Sequence, residues 1–322
     1  MRRGLLRRLR GDRQPVDPRR AELEAARAQV IEQHGEWLAH NIHVGSGVHT
    51  RGDDIYGDEF KVRRAVRLVE DLVRRPWSEL RIADLGCNEG LYACEFALRG
   101  ASVLGVEGRE SNLAKARFAK ESLGLDRLEL LQADVRTLSR ESHGAFDVVV
   151  CWGLLYHLDT PGLFTFVEQL RDICDGVVIA DTQVSLSDDD LKAFDAEMFW
   201  ADPNALGPIE ARAHGARTYW GRSVVEHPPE STLEQRMLAG WASLDNPDSF
   251  WLTKPSLVNL FADSGFATVL EAQAPRLAYP PDRVTLAALG RGGVELQAAP
   301  AVNAMGEQPI DERPPRVRSA SS

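Results

Sequence analysis

From residue 80 onward, short apolar runs alternate with helical stretches, and no other feature of the sequence narrows the fold as much. The runs are Leu80–Leu85, Ser102–Glu107, Leu128–Leu131, Phe146–Trp152 and Val177–Asp181. Each is too short for a helix, and each is followed by a stretch long enough to be one. Strands separated by helices pair in parallel, because the crossover carries the chain back to the end where it began. Strands covered on both faces read as continuous apolar runs. The pattern therefore predicts an α/β fold with a doubly wound, mostly parallel sheet. One crossover helix is expected to open after Thr160-Pro161, a capping residue followed by proline at the first helical position. Lys254–Ser264 then reads as a helix stopped by Gly265. Phe266–Glu271 and Arg283–Leu289 follow with no helix between them, so they are expected to complete seven strands as an antiparallel hairpin.

The flanking segments differ in texture. Residues 1–18 read as a disordered basic arm and 19–79 as a helical extension. In the extension, 19–40 is expected to be one amphipathic helix with Leu23, Ala26, Val30 and Trp37 near one face. A Gly-rich connector (residues 43–48) and an acidic Gly52-Asp53-Asp54 loop lead to a second helix over about 59–75, with Val62, Val66, Val69 and Val73 in register and Pro76 at its end. The domain proper is expected to span 80–290. Residues 182–253 interrupt its rhythm and hold Trp200, Trp220, Trp241 and Trp251. So long and aromatic an insertion reads as a cap over a pocket, its tryptophans mostly forming a small core of their own. The tail, 291–322, is dominated by Gly, Ala, Pro and Ser and reads as disordered.

Charge and cysteine content exclude some classes of function. The net charge is −10, although the first twenty residues carry eight Arg against Asp12 and Asp17. Bulk electrostatic binding of nucleic acid needs Lys and Arg to neutralise phosphates, so the acidic remainder disfavours a tRNA partner and favours a small molecule. No apolar run approaches the ~20 residues of a membrane span, and MRRGLLRRLRGDRQP lacks the apolar core of a secretory signal. Cys87, Cys94, Cys151 and Cys174 form no CxxC pair, which fits a reduced, cytoplasmic protein without zinc. No metal-ligand cluster is apparent. Oligomeric state is left open.

The chemistry concentrates at the ends of the first three strands. Ile82-Ala83-Asp84-Leu85-Gly86-Cys87-Asn88-Glu89-Gly90 is a strand running through a glycine turn into a helix, a Rossmann-type arrangement whose backbone N–H groups can face a nucleotide-like ligand. Twenty-one residues beyond Gly86, Glu107 ends the second strand, where a carboxylate accepts both hydroxyls of a ribose. A dinucleotide site would read GxGxxG, and here Gly86 and Gly90 bracket Asn88 without the further glycine. Asp84 would repel a pyrophosphate but suits a cationic amino-acid head. Asp134, after the third strand, is placed to accept from an adenine amino group. Three carboxylates around one ligand fit S-adenosylmethionine (SAM), which carries an ammonium and a sulfonium and no phosphate.

At this point IADLGCNEG, VLGVEGRE, LLQADV and FDVVVCWGLLYHL resemble the class I SAM-dependent methyltransferases over about half of the chain. A finer resemblance, in WLAHNIHVGSGVHTRG, GLLYHLDTP and FWLTKPSLVNLFADSGF, is to proteins grouped with the tRNA wobble-uridine (mo5U34) modifying enzymes. Carried over, the resemblance implies that Asp84 and the turn Gly86, Cys87, Asn88, Gly90 hold the methionine end. It assigns Glu107 to the ribose, Asp134 and the Val135 N–H to the adenine, and Trp152 to the wall of the cofactor pocket. Asn88 stands where the family often has glycine, and Asn tolerates left-handed backbone.

His157 follows the fourth strand on the side where ligands bind such sheets, and is the candidate base for an acceptor hydroxyl. His214, Tyr219 and His227 in the cap are further polar candidates. The expected reaction is transfer of a methyl group from SAM to an O or N acceptor, most simply on a small molecule. The alternatives are wobble-uridine (carboxy)methylation of tRNA and a SAM-fold protein that binds without turnover. NAD fits the glycine spacing poorly. If the three acids surround the cofactor, calorimetry will register SAM or S-adenosylhomocysteine (SAH) and not NAD. Glu107→Ala will weaken binding by about 1.5–3 kcal/mol, the value of charge-assisted hydrogen bonds to the ribose.

Overall fold

The computed structural model describes residues 17–52, 58–187, 207–273, 281–290 and 295–303. The acidic Asp53-Asp54 pair, Trp200, residues 1–16 of the basic arm and most of the tail lie outside them. Helix α1 (Pro18–His34) begins on an Asp17 cap whose side chain accepts from the Arg19 N–H. It stops at Gly35, where φ is +79°. The helix expected over 19–40 is thus shorter, because glycine takes a left-handed cap at little steric cost. Trp37 consequently leaves the helix face and packs edge-on against Phe118, ring centroids 5.6 Å apart. The Gly-rich connector forms a small hairpin of β1 (His43–Gly45) and β2 (Val48–His49). Helix α2 (Asp58–Val73) follows, with Val62, Val66 and Val69 buried.

The predicted rhythm is present from residue 81. Strands β3 (Arg81–Leu85), β4 (Ser102–Glu107), β5 (Leu128–Gln132), β6 (Phe146–Trp152) and β7 (Cys174–Gln183) are parallel. They are connected through α3 (Leu91–Leu98), α4 (Glu110–Leu123), the short α5 (Arg140–His143) and α6 (Gly162–Ile173). Helix α6 starts one residue later than expected, so Pro161 is its cap and not its first residue. Ile82, Val148 and Ile179 pack with Val66, Val69 and Phe96 on one side of the sheet. Ala83, Val149 and Val178 pack with Phe164 and Val167 on the other. Each fully buried Val, Ile or Phe among them contributes about 1.5–3 kcal/mol, which outweighs any local preference at the helix ends.

After β7 the chain forms a second, antiparallel sheet of β8 (Glu210–His214), β9 (Arg217–Val225) and β10 (Asp248–Leu252), in the order β10-β9-β8, with helix α7 (Leu233–Leu238) between β9 and β10. It is not an isolated aromatic core. Tyr219, Phe250 and Leu252 join the main apolar cluster, and the Phe250 N–H donates to the Leu158 carbonyl. Trp251 is buried and its Nε1 donates to the Tyr156 carbonyl, whereas Trp220 and Trp241 are 43% and 54% exposed. Helix α8 (Lys254–Asp263) leads to β11 (Thr268–Glu271) and β12 (Arg283–Leu289). These two close the large sheet as the expected antiparallel hairpin, in the order β11-β12-β7-β6-β3-β4-β5. The order reverses at β3, with β4 on one side and β6 on the other, and a ligand crevice opens above the carboxyl ends of such strands. Of the tail, residues 300–302 form one turn of 3-10 helix. No described helix is long and apolar enough to cross a membrane.

The extension is tied to this crevice by one buried group. Glu89, fully buried in the glycine turn, accepts from the N–H groups of Leu38, Ala39 and His40 at 2.6, 2.9 and 2.9 Å. Lys115 of α4, also buried, reaches Glu89 at 3.2 Å and donates to the Glu36 carbonyl. Removing one partner of a buried pair leaves the other charge uncompensated, at a cost of about 3–5 kcal/mol. Lys115→Met should therefore lower unfolding free energy in urea by about that amount. A loss below 1 kcal/mol, in the range of surface pairs, would mean that Lys115 does not hold the clamp.

Candidate active site

The crevice is a cavity of about 540 Å³. Its floor is the glycine turn. Gly86 and Asn88 have φ of +70° and +50°, so Asn88 takes the left-handed backbone that asparagine tolerates. Gly90 caps α3 at φ +88°, and a Cβ there would meet the Ala116 Cβ at 2.9 Å. Not every N–H at this helix start faces a ligand, as expected: the Leu91 N–H donates to His40 Nδ1 at 3.2 Å. Cys87 lines the cavity, and burial together with the Asp84 and Glu107 charges pushes its thiol well above the usual range.

The three strand-end acids reach this one cavity but differ in state. Asp84 is buried, and Oδ2 has no hydrogen-bond partner among the described residues. Burial and the Glu107 charge push its carboxyl up to about 7, against a hydrogen bond from the Ala93 main chain. Glu107 accepts from the Asn88 N–H at 3.0 Å and the Arg109 N–H at 2.8 Å, yet burial still leaves its carboxyl above the usual range. Asp134 is half-buried, caps the turn at Val135 and is gripped by the Arg136 guanidinium through both oxygens. Burial alone would raise its carboxyl, but those bonds hold it below the usual range. Arg136 also reaches Asp245 of the insertion at 2.7 Å. Asp134 is thus more committed to protein partners than an acid kept for adenine alone. Val135 and Trp152 both line the cavity, and Trp152 Nε1 is a buried donor with no partner among the described residues.

His157 lines the same cavity and lies in a short turn after β6. Its Nδ1 is 2.9 Å from Oε2 of Glu226, which follows β9. Burial alone would raise the Glu226 carboxyl, but His157, Ser249 and the Ser243 N–H hold it below the usual range. The other polar candidates of the cap are not among the residues lining the cavity. His214 meets Glu168 at 2.8 Å, Tyr219 donates to Asp263 at 2.9 Å, and His227 meets the Ser243 carbonyl at 2.9 Å. Sequence reasoning missed Glu226, Arg109, Glu89 and His40. Glu89 and His40 stood inside stretches that carried the resemblance, whereas nothing local marked Glu226.

The residues fit a ligand of mixed character. Asp84 Oδ2, Asn88 Oδ1 and Trp152 Nε1 are buried polar atoms without partners among the described residues, and all three belong to residues lining this cavity. Buried polar groups are rarely left unpaired, so such a cluster marks where a polar ligand binds. Among the described residues, no group of three His, Cys, Asp or Glu is placed to hold a metal.

Comparison with known proteins matches the sheet region of the chain. Residues 82–176 match the family described as "Methyltransferase domain". The N-terminal domain of EvdMO1 with SAH bound superposes with a TM-score of 0.58 at 23% identity, covering 85% of this chain and 97% of that one. The two share a Rossmann-type α/β fold. Two curated relatives are the ubiquinone biosynthesis O-methyltransferases of Acinetobacter baumannii and Azotobacter vinelandii. They are 35% and 36% identical over 81 residues, 25% of this chain and 34% of each relative. The chain thus spans about a third of the curated relatives it matches.

Asp84 gives this site a pH signature. A carboxyl raised from 3.8 to about 7 by burial binds a proton more tightly folded than unfolded. Its contribution to stability is full below the unfolded value and is lost as pH rises through the folded one. Denaturation series across that window should show Asp84→Asn gaining on the wild type as pH rises, with the difference levelling off above about 7. Parallel curves for the two proteins would show that the carboxyl stays ionised throughout.

Proposed function

We propose that the protein is a SAM-dependent methyltransferase that methylates an oxygen or nitrogen of a small molecule, with a hydroxyl favoured by the His157–Glu226 pair. The observation that carries this reading is the lone Asp84 Oδ2 beside Glu107 at the glycine turn, in one cavity with a histidine whose other nitrogen is engaged. When bound, SAM supplies a methyl group on a sulfonium, an activated carbon that needs no further leaving-group chemistry from the protein. Asp84 would take the ammonium, Gly86, Cys87, Asn88 and Gly90 the methionine backbone, and Glu107 the ribose. Each Glu107 oxygen holds one N–H and retains a second acceptor position. Asp134 and Val135 would border the adenine, with Trp152 along the wall.

Catalysis then rests on alignment and exclusion of water, and, for a hydroxyl, on removal of its proton by His157. The comparisons lend weight on the acceptor side. The curated relatives are O-methyltransferases, and one structure of the EvdMO1 N-terminal domain was obtained in the presence of SAH and D-fucose, a sugar. The net charge of −10 speaks for a small acceptor over the tRNA of the wobble-uridine group. A reduced, cytoplasmic setting is part of the same proposal.

The test is calorimetry with SAM and SAH, followed by transfer of labelled methyl to molecules that co-purify with the protein. Absence of SAM and SAH binding would overturn the proposal. His157→Gln should lower turnover by ~10²–10⁴-fold, the range for a lost general base, with SAM affinity nearly unchanged and partial recovery at high pH. A variant only a few-fold slower, with the wild-type pH profile, would assign the rate to alignment and point to an acceptor that needs no base.

A further inference from the structure

We propose that Glu226 and Arg109 are positioning residues that fix the tautomer of His157, so that Nδ1 carries the proton and Nε2 presents a lone pair to the cavity. This rests on the methyltransferase reading for its purpose, but not for its geometry. The Glu226 side chain is only 6% exposed, and its Oε2 accepts from the Ser243 N–H at 2.8 Å besides meeting His157 Nδ1 at 2.9 Å. An ionised carboxylate has no proton to donate. The proton in the contact must therefore sit on Nδ1, which leaves Nε2 bare whenever the ring is neutral. No other hydrogen bond of the ring is formed among the described residues, and the side chain lines the cavity.

Glu226 cannot hold this pose alone, because it leaves the end of a strand in the inserted sheet. The loop around Ser243 fixes it, and Arg109 holds that loop together with His227 on the Ser243 carbonyl and Arg136 on Asp245. The buried Arg109 guanidinium donates to the carbonyls of Met237, Ala242 and Ser243 at 3.1, 3.0 and 2.7 Å. Its main-chain N–H donates to Glu107, the acid assigned to the ribose. A path of hydrogen bonds thus runs from Glu107 through Arg109 and Ser243 to Glu226 and His157. The turn that shapes the cofactor end also sets the nitrogen that would face the acceptor. Only its first step, from Arg109 to Glu107, is local in sequence; the others span 134, 17 and 69 residues.

The tautomer is read directly by long-range ¹⁵N–¹H correlation spectra of the histidine side chains, taken on the full chain where the ring is neutral. His157→Gln identifies the signal among the eight histidines. The wild type should show a protonated Nδ1 and an unprotonated Nε2. Glu226→Ala should move His157 toward the Nε2–H form that free imidazole prefers. Glu226→Gln should keep the wild-type form, because its amide oxygen can accept both bonds. Arg109→Gln, which leaves the main-chain bond to Glu107 intact, should loosen the pose and give a mixture. An Nε2–H signal in the wild type, or an unchanged one in Glu226→Ala, overturns the proposal, and an unchanged one in Arg109→Gln removes Arg109 from it. Should Glu226→Ala fail to fold, the wild-type spectrum and Arg109→Gln still decide. Calorimetry with SAH on the same samples keeps the two ideas apart. Nδ1–H without SAH binding sinks the methyltransferase reading alone, and SAH binding with Nε2–H sinks this one alone.

Discussion

The buried carboxylate of Glu89 is the contact on which the shape of the cavity depends. It receives three consecutive main-chain N–H groups from residues 38–40 and the ammonium of Lys115. A carboxylate taken out of water is costly unless its acceptor positions are filled, and here they are filled by groups from two distant parts of the chain. Because Glu89 lies within the glycine turn, the clamp fixes the turn relative to α4 and presses the extension against it. His40, delivered by the clamped segment, then takes the first N–H of α3 and lines the cavity. The extension is thereby a wall of the site and not an appendage to the sheet.

The electrostatics follow from burial and pairing in different proportions. Asp84 and Glu107 are both buried, and in each the desolvation of the carboxyl outweighs the hydrogen bonds it receives. Asp134 is less buried and bound to Arg136, and it moves the other way. The cavity thus has one end where negative charge is held under protest and one where it is neutralised. A ligand with a cation at one end and a neutral base at the other matches that gradient. A pyrophosphate does not, since it would add charge where charge is already opposed.

The sheet was legible in the sequence because its evidence is local. An apolar run that ends at Glu107 is a strand whether or not its neighbours are known, and the glycine turn announces itself by residue type. The antiparallel close was legible for the same reason, from two runs without a helix between them. Helix α1 was read too long because Trp37 lay in phase with Leu23 and Val30, and the stop signal, Gly35, was passed over. The pairs that complete the site were invisible for a different reason. Leu38 meets Glu89 across 51 residues, His157 meets Glu226 across 69, and Arg109 meets Ser243 across 134. Nothing in the periodicity of either partner encodes such a distance.

The inserted sheet shows how one short turn serves two purposes. Residues 107–109 contribute an acid to the cavity, a close approach at Gly108 and a guanidinium to the insertion. A Cβ on Gly108 would meet the Leu244 side chain at 2.7 Å, so the insertion sits as near to the turn as a glycine allows. Arg136 repeats the arrangement one strand over, binding Asp134 on the sheet and Asp245 on the insertion. Both cations thus sit next to an acid at a strand end, and each uses its remaining donors to hold the segment 236–245. That segment carries Trp241, half-exposed at the rim, and the Ser243 N–H that reaches Glu226. A ligand that displaced Arg136 from Asp134 would therefore act on the far wall as well as the near one. The inserted sheet is seated by Tyr219, Phe250 and Leu252 in the main apolar cluster, and its loop 236–245 by the two arginines beside the strand-end acids. Its alignment over the crevice is consequently shared between the main core and the sheet's carboxyl edge.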